Sequence, residues 1–266
     1  MSSAPSFGGS VPEYYDRCLG PAWFGPLAAA LASRLPARPP GPVLEIACGT
    51  GLASTHLRAR LDSSIPLVAT DFSKAMLEVA RAKGIAGVEW READASALPF
   101  GDGEFGAVAC ALGFMFVPDK PRALAEAHRV LRPGGVLAFS VWDRIENNPT
   151  IFEGARVLRS LAPDDPQMRF ETPYEMHDVD ALRKLTTDAG FNDVKVGTFA
   201  HAIDGVSAKS VAEGLMRGTP RAGLLAKKGV DPDLAIDRLA RALVDLGGAD
   251  PYRSTARIVI VEARAA

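Results

Sequence analysis

No segment of the chain approaches the run of about 18 apolar residues that a membrane-spanning helix needs, so stable membrane insertion is set aside. Cysteine is scarce: Cys18, Cys48 and Cys110 are an odd number without metal-type spacing, which argues against a disulfide framework. The first residues carry no basic stretch leading into an apolar run, so no signal peptide is read there and a cytoplasmic protein is expected. Neither sign of charge dominates, because 30 Lys and Arg stand against 32 Asp and Glu for a net −2. That balance leaves no electrostatic footprint for nucleic acid. A Gly-x-Ser-x-Gly elbow is also missing, which removes the nucleophile motif of one large hydrolase class. There is no internal repeat.

What is present is ordinary for one large α/β domain: 266 residues, 47% hydrophobic and 23% charged. The chain is organised around an apolar run at 43–47 that breaks at Gly49-Thr50-Gly51 and continues into a helical pattern at 52–61. Strand, tight turn and helix N-terminus in that order make a cradle for an anionic or electron-rich ligand, since glycines accept positive φ and let the backbone approach closely. A dinucleotide fingerprint would end in a third small Gly or Ala, and here Ser54 stands at that place. A phosphate-binding P-loop would require Gly-Lys-Ser/Thr, and no lysine occurs here. The next apolar run ends at Asp71, 20 residues after Gly51, the spacing of a ribose-binding acid. Asp71 could equally cap the helix that follows, a role for which Ser73 competes.

Glu45 followed by Gly49 and Gly51 resembles the first motif of class I S-adenosylmethionine-dependent methyltransferases, small-molecule branch, of which the ubiquinone/menaquinone and natural-product enzymes are examples. The phrase Arg129-Val130-Leu131-Arg132-Pro133-Gly134-Gly135 resembles the same branch; physically it is a helix stop with glycine at its end. The resemblance covers about residues 40–200. It implies an α/β, Rossmann-like, seven-stranded doubly wound sheet with the last strand antiparallel, plus helical cap insertions, in one domain over 1–266. Its expected parts are an N-terminal helical segment at 1–38 and caps over the acceptor pocket at 144–177 and 207–250. It implies S-adenosylmethionine as cofactor, held by Tyr15, Ala47, Gly49, Gly51, Asp71, Phe72, Met76, Asp94, Ala95 and Ala111. The loop Gly113-Phe114-Met115-Phe116-Val117-Pro118 carries no acid, amide or base, so no metal is expected and the acceptor reads as a flat organic molecule methylated at O, N or C.

Candidate acceptor contacts are Tyr14, Phe114, Phe116, Trp142, Phe170 and Tyr174. Of the four histidines, His56 and His128 fall within scaffold helices, while His177, in the first cap, ranks ahead of His201 as a general base. For either, an ordinary surface or packing role is the reading placed ahead of catalysis. Monomer and homodimer are both compatible with the sequence. Three other readings stand beside this one: a quinone-type C-methyltransferase, an NAD-dependent oxidoreductase reusing the glycine turn, and a protein that binds S-adenosylmethionine without transferring a methyl group.

Overall fold

The central strands are apolar without alternation, which is what a strand covered by helices on both faces requires. In the computed structural model, which describes residues 9–169 and 172–266, β1 (Val43–Ile46) and β4 (Phe105–Ala111) are buried almost throughout. They pair in parallel at the centre of a seven-stranded sheet. β2 (Leu67–Asp71) and β3 (Val88–Glu92) extend it on one side, both parallel. On the other side β5 (Leu131–Trp142) runs parallel to β4, then β7 (Tyr252–Ala265) inserts antiparallel between β5 and the edge strand β6 (Phe191–Val206). The order β3-β2-β1-β4-β5-β7-β6 is the doubly wound sheet with an antiparallel last strand that the resemblance implied.

Ten α-helical segments are present among the described residues. α1 (Val11–Tyr14) leads through a π-helical stretch, Tyr15–Phe24, into α2 (Gly25–Ala32). Pro21 lies inside the π-helical stretch, where the widened turn accommodates a residue that cannot continue an α-helical hydrogen-bond ladder. Between the strands run α3 (Leu52–Arg60), α4 (Lys74–Ala82), α5 (Lys120–Val130), α6 (Pro149–Leu161) and α7 (Val179–Asp188). The crossover from β6 to β7 holds α8 (Ala208–Arg217), α9 (Arg221–Lys227) and α10 (Pro232–Gly247).

The Gly, Pro and Lys-rich stretch between α8 and α10 contains α9. β5 begins at Leu131, which pairs with Phe105, and the Gly134 turn is absorbed as a register irregularity. β6 and β7 both run longer than their apolar cores, since they pair with each other from Phe191↔Ala265 to Val206↔Tyr252. No helix among the described residues is long and apolar enough to cross a membrane.

α8 approaches the N-terminal helices at close range. A Cβ on Gly214 would lie 2.7 Å from Cys18 and Leu19 side-chain atoms, and one on Gly218 would lie 2.5 Å from the backbone nitrogen of Tyr15. Small residues four apart on one helix face therefore let the π-helical stretch sit directly on α8. That contact sets the roof of the site.

Candidate functional site

The site grows out of the carboxyl ends of β1, β2, β4 and β5, where ligands bind in open α/β sheets. β1 turns at Ala47 (φ 54°), passes Gly49 (φ 54°) and reaches Gly51 (φ 79°), which caps α3. A left-handed alanine is uncommon, and Leu112 at the end of β4 shares it (φ 54°). Both residues line a single cavity of about 430 Å³, so the strained backbone is concentrated where the two central strands open.

On the β1–β3 side of the cavity the polar groups are precisely paired to backbone. The Asp71 carboxylate accepts the Gly49 N–H and the Ser73 N–H, each at 2.8 Å. Helix capping falls to Ser73, whose hydroxyl accepts the Met76 N–H at 3.4 Å, which resolves the competition left open by the sequence. Burial raises the Asp71 carboxyl above its ordinary value, opposed by the N–H groups of Ser73, Gly49 and Phe72. A carboxylate offers about four lone-pair directions, so bonds to backbone leave it acceptor capacity for ligand hydroxyls. A Cβ on Gly49 would meet nothing within 4 Å, so the turn faces open space there. Phe72 is 68% exposed beside Asp71, and Met76, Ala93, Asp94 and Ala95 continue the same wall.

Behind the turn, Glu45 is fully buried on β1 and accepts the Ser54 hydroxyl at 2.5 Å through Oε2, while Oε1 has no hydrogen-bond partner. Burial pushes its carboxyl up to about 8, against the pull of Ser54. The N-terminal helices are tied to the same turn by Asp16, whose Oδ1 accepts from Thr50 Oγ1 at 2.8 Å and from Lys83 Nζ at 2.5 Å. Next to Asp16, the Tyr15 phenol is raised above its usual range by burial, with Asp16 and Asp71 adding to the effect.

The opposite side of the cavity is aromatic. Tyr15 stacks on Phe24 at 4.5 Å; Phe24 and Trp23 meet the edge of Trp142 at 5.9 and 6.0 Å; Trp142 lies 6.1 Å from Tyr174. Met115, Phe116, Ile151 and Leu215 fill in between, and Thr219 and Arg221 close the wall from the start of α9. Both segments expected as caps contribute, through Ile151, Pro173 and Tyr174 and through Leu215, Thr219, Pro220 and Arg221.

Tyr15, Ala47, Gly49, Asp71, Phe72, Met76, Asp94, Ala95, Ala111, Phe116, Trp142 and Tyr174 thus come together around one space. Four expected residues do not. Gly51 is absent from the cavity wall; its missing Cβ makes room for Trp90, which would lie 2.9 Å away. Tyr14 points to the α8 surface, with the Arg17 and Arg217 guanidinium carbons 4.9 and 5.7 Å from its ring centre. Phe114 is fully buried edge-on against Phe139 at 5.3 Å, because the loop after β4 tightens into a 3-10 turn that draws the ring into the core. His177 lies outside the wall, with Nδ1 held 2.8 Å from the Tyr174 carbonyl. Phe170 lies outside the described residues.

Trp23, Phe24 and Arg221 were not anticipated. Trp23-Phe24 directly before a helix was a visible signal for a buried aromatic anchor, whereas nothing local marks Arg221. Among the described residues the wall carries no histidine, lysine or glutamate.

Residues 44–139 match the family model described as a methyltransferase domain. A demethylmenaquinone methyltransferase of Thermus thermophilus is 46% identical over 101 residues, which is 37% of this chain and 46% of that protein. The chain therefore spans about half the length of that curated relative. Among solved structures, Haemonchus contortus phosphoethanolamine N-methyltransferase 2 with phosphomonomethylethanolamine and S-adenosylhomocysteine superposes at TM-score 0.63 and 16% identity, over 99% of this chain and 60% of that one. The [4+2]-cyclase SpnF superposes at TM-score 0.56 and 20% identity, over 90% and 80%. These two establish the fold; since one is a cyclase, fold alone does not fix the reaction.

Proposed function

From a chain that carries a methyltransferase domain on a class I S-adenosylmethionine-dependent methyltransferase fold, we propose that it transfers a methyl group from S-adenosylmethionine to a small aromatic or heteroaromatic acceptor, without a metal ion. The observation that carries this reading is the Asp71 carboxylate bridging the Gly49 turn at 2.8 Å on the rim of an otherwise aromatic cavity. The residues fit the cofactor. Gly49 leaves space where a side chain would stand, Asp71 keeps acceptor capacity for ribose hydroxyls, and Phe72, Met76, Asp94 and Ala95 form an apolar slot with one acid at its end, suited to adenine. The Haemonchus relative, superposed over nearly all of this chain, was solved with S-adenosylhomocysteine.

The cofactor, when bound, supplies a methyl carbon on a cationic sulfur. What the chain adds is placement. Trp23, Phe24, Trp142 and Tyr174 would pack against a planar ring and exclude water from it, and Ala111 and Ser140, near the carboxyl ends of β4 and β5, line the same cavity. Orienting two reactants can supply roughly 7–11 kcal/mol of a barrier. No general base is assigned: His177 lies off the wall and Tyr15 is held protonated by burial. A nucleic-acid acceptor does not fit an apolar and aromatic enclosure in a chain of net charge −2.

A quinone-type C-methyltransferase is a second reading, favoured by the Thermus relative's name. The family match covers residues 44–139 and leaves out Trp23, Phe24, Trp142, Tyr174 and Arg221, so much of the acceptor wall lies outside it. Incubation with methyl-labelled S-adenosylmethionine and a panel of phenols, hydroquinones and heteroaromatic amines, followed by detection of S-adenosylhomocysteine, tests the proposal. Acceptor-dependent formation of S-adenosylhomocysteine is expected; tight cofactor binding with no turnover across the panel would favour a non-catalytic binding protein.

A further inference from the structure

Strand alternation brings a polar group to the acceptor side. Side chains two apart on a strand share a face, and Ser140 and Trp142 line the cavity while Val141 between them does not. The Ser140 side chain therefore faces the cavity from its floor, with the residue 1% exposed. Its hydroxyl oxygen accepts the Leu112 N–H at 3.2 Å, yet the Ser140 carbonyl already takes the same N–H at 3.0 Å. The hydroxyl is thus redundant for that turn, and its own O–H has no acceptor among the described residues.

A second donor stands beside Trp142. Trp23 meets that ring at 6.0 Å and lines the cavity, and its indole N–H is buried without a hydrogen-bond partner. The stack on Phe24 at 5.8 Å holds the ring in place, so the N–H does not turn to find one. An indole nitrogen only donates, and a buried donor left unmet costs free energy, so the missing partner is an acceptor atom.

Two unused donors in an aromatic wall select a ligand by what it accepts. An organic cation that packs on ring faces offers them nothing. A carbonyl oxygen has two lone pairs and brings no proton of its own, so it meets both needs. We infer that the acceptor is an aromatic compound with a ring-conjugated carbonyl, whose oxygen receives the Ser140 hydroxyl and the Trp23 N–H. The inference rests on the methyltransferase reading and deepens it by naming the substrate class. It makes Ser140 and Trp23 specificity residues for the acceptor rather than parts of the cofactor site or of the core alone.

Wild-type protein saturated with S-adenosylhomocysteine is titrated calorimetrically with matched pairs in which C=O is replaced by CH2. These are 4-hydroxyacetophenone against 4-ethylphenol, 6-hydroxy-1-tetralone against 5,6,7,8-tetrahydro-2-naphthol, and 7-hydroxyflavanone against 7-hydroxyflavan. A carbonyl gives up hydrogen bonds to water on entry, so without donors in the cavity the CH2 partner binds at least as well. With them, at least one carbonyl compound should bind about fivefold or more tightly than its partner. That ratio should fall toward one or invert in Ser140→Ala, and also when Trp23 is replaced by benzothienylalanine, which keeps the ring's shape and lacks the N–H. S-adenosylhomocysteine affinity should be unchanged in both. Should the Trp23 replacement not fold, the Trp23 indole proton of nitrogen-labelled wild-type protein should move downfield with the carbonyl compound and not with its partner. Equal, weaker or no binding by all three carbonyl compounds would overturn the inference. So would a ratio that survives Ser140→Ala or loss of the Trp23 N–H, or an indole proton indifferent to the carbonyl. Failure of S-adenosylhomocysteine to bind wild-type protein would count against the methyltransferase reading itself.

Discussion

The two halves of the cavity are built in different ways. On the β1–β3 side, the contacts come from successive strand-turn-helix units, so Gly49, Asp71 and Asp94 lie close in sequence and each sits at a strand end. On the other side, the wall is gathered from the π-helical stretch, the end of β5, the 3-10 turn at Thr172–Tyr174 and the start of α9, segments that lie as far apart as Tyr15 and Arg221. A cofactor site of the first kind can be specified by a short motif. An acceptor site of the second kind exists only once the chain has packed.

The comparison can be broken most directly at Asp71. Asp71→Ala removes a charged acceptor for two ribose hydroxyls, at roughly 1.5–3 kcal/mol each, so affinity for S-adenosylhomocysteine should fall by about a hundredfold or more in calorimetry. The first half is misassigned if affinity is unchanged.

Next in size is Gly218→Leu, which would force a side chain against the backbone of Tyr15. Overpacking of this kind costs about 1–3 kcal/mol. Since Tyr15, Trp23 and Phe24 move with that contact, acceptor binding should be lost well before cofactor binding. Equal loss of both would mean that the halves are not separable.

Glu45 sharpens the comparison through pH. Its carboxyl lies near 8 when folded, against an ordinary value near 4.5, so the folded state holds the proton more tightly across that interval. Stability therefore falls as pH rises from about 5 to about 8, and the loss belongs to ionising a buried acid. Glu45→Gln should flatten that slope in denaturant titrations at several pH values, and an unchanged slope would show the carboxyl to be ionised in the fold.

Smaller still, Trp142→Phe should raise the acceptor KM about fivefold, on the order of the 0.5–1.5 kcal/mol carried by an aromatic pair, with the cofactor KM unmoved. His177→Ala should change kcat by no more than about twofold, about 0.4 kcal/mol of barrier, because the ring lies off the cavity wall. A collapse of kcat there would restore His177 as the base.

These differences explain how far the sequence could be read. The sheet and the glycine turn were legible because parallel strands are continuous apolar runs and because Gly49 and Asp71 keep a fixed spacing through one βαβ unit. Phe114 was misplaced because an aromatic in a loop after a strand looks available, and only the 3-10 turn reveals that it faces Phe139. Arg221 was passed over for the opposite reason: an arginine among Gly, Pro and Lys reads as solvated, and its burial follows from α9 folding over the cavity. Gly51 was assigned to the ligand, yet its bare Cα serves Trp90.

The most direct test of the central claim is a thermal-shift comparison of S-adenosylmethionine, S-adenosylhomocysteine, NAD and NADP on the purified chain. A ligand at a hundred times its dissociation constant adds about 2.7 kcal/mol of stability, an easily measured rise in melting temperature. The account predicts stabilisation by the two S-adenosyl compounds alone. Stabilisation by the nicotinamide nucleotides instead would contradict it, making the Gly49 turn and Asp71 the frame of an oxidoreductase.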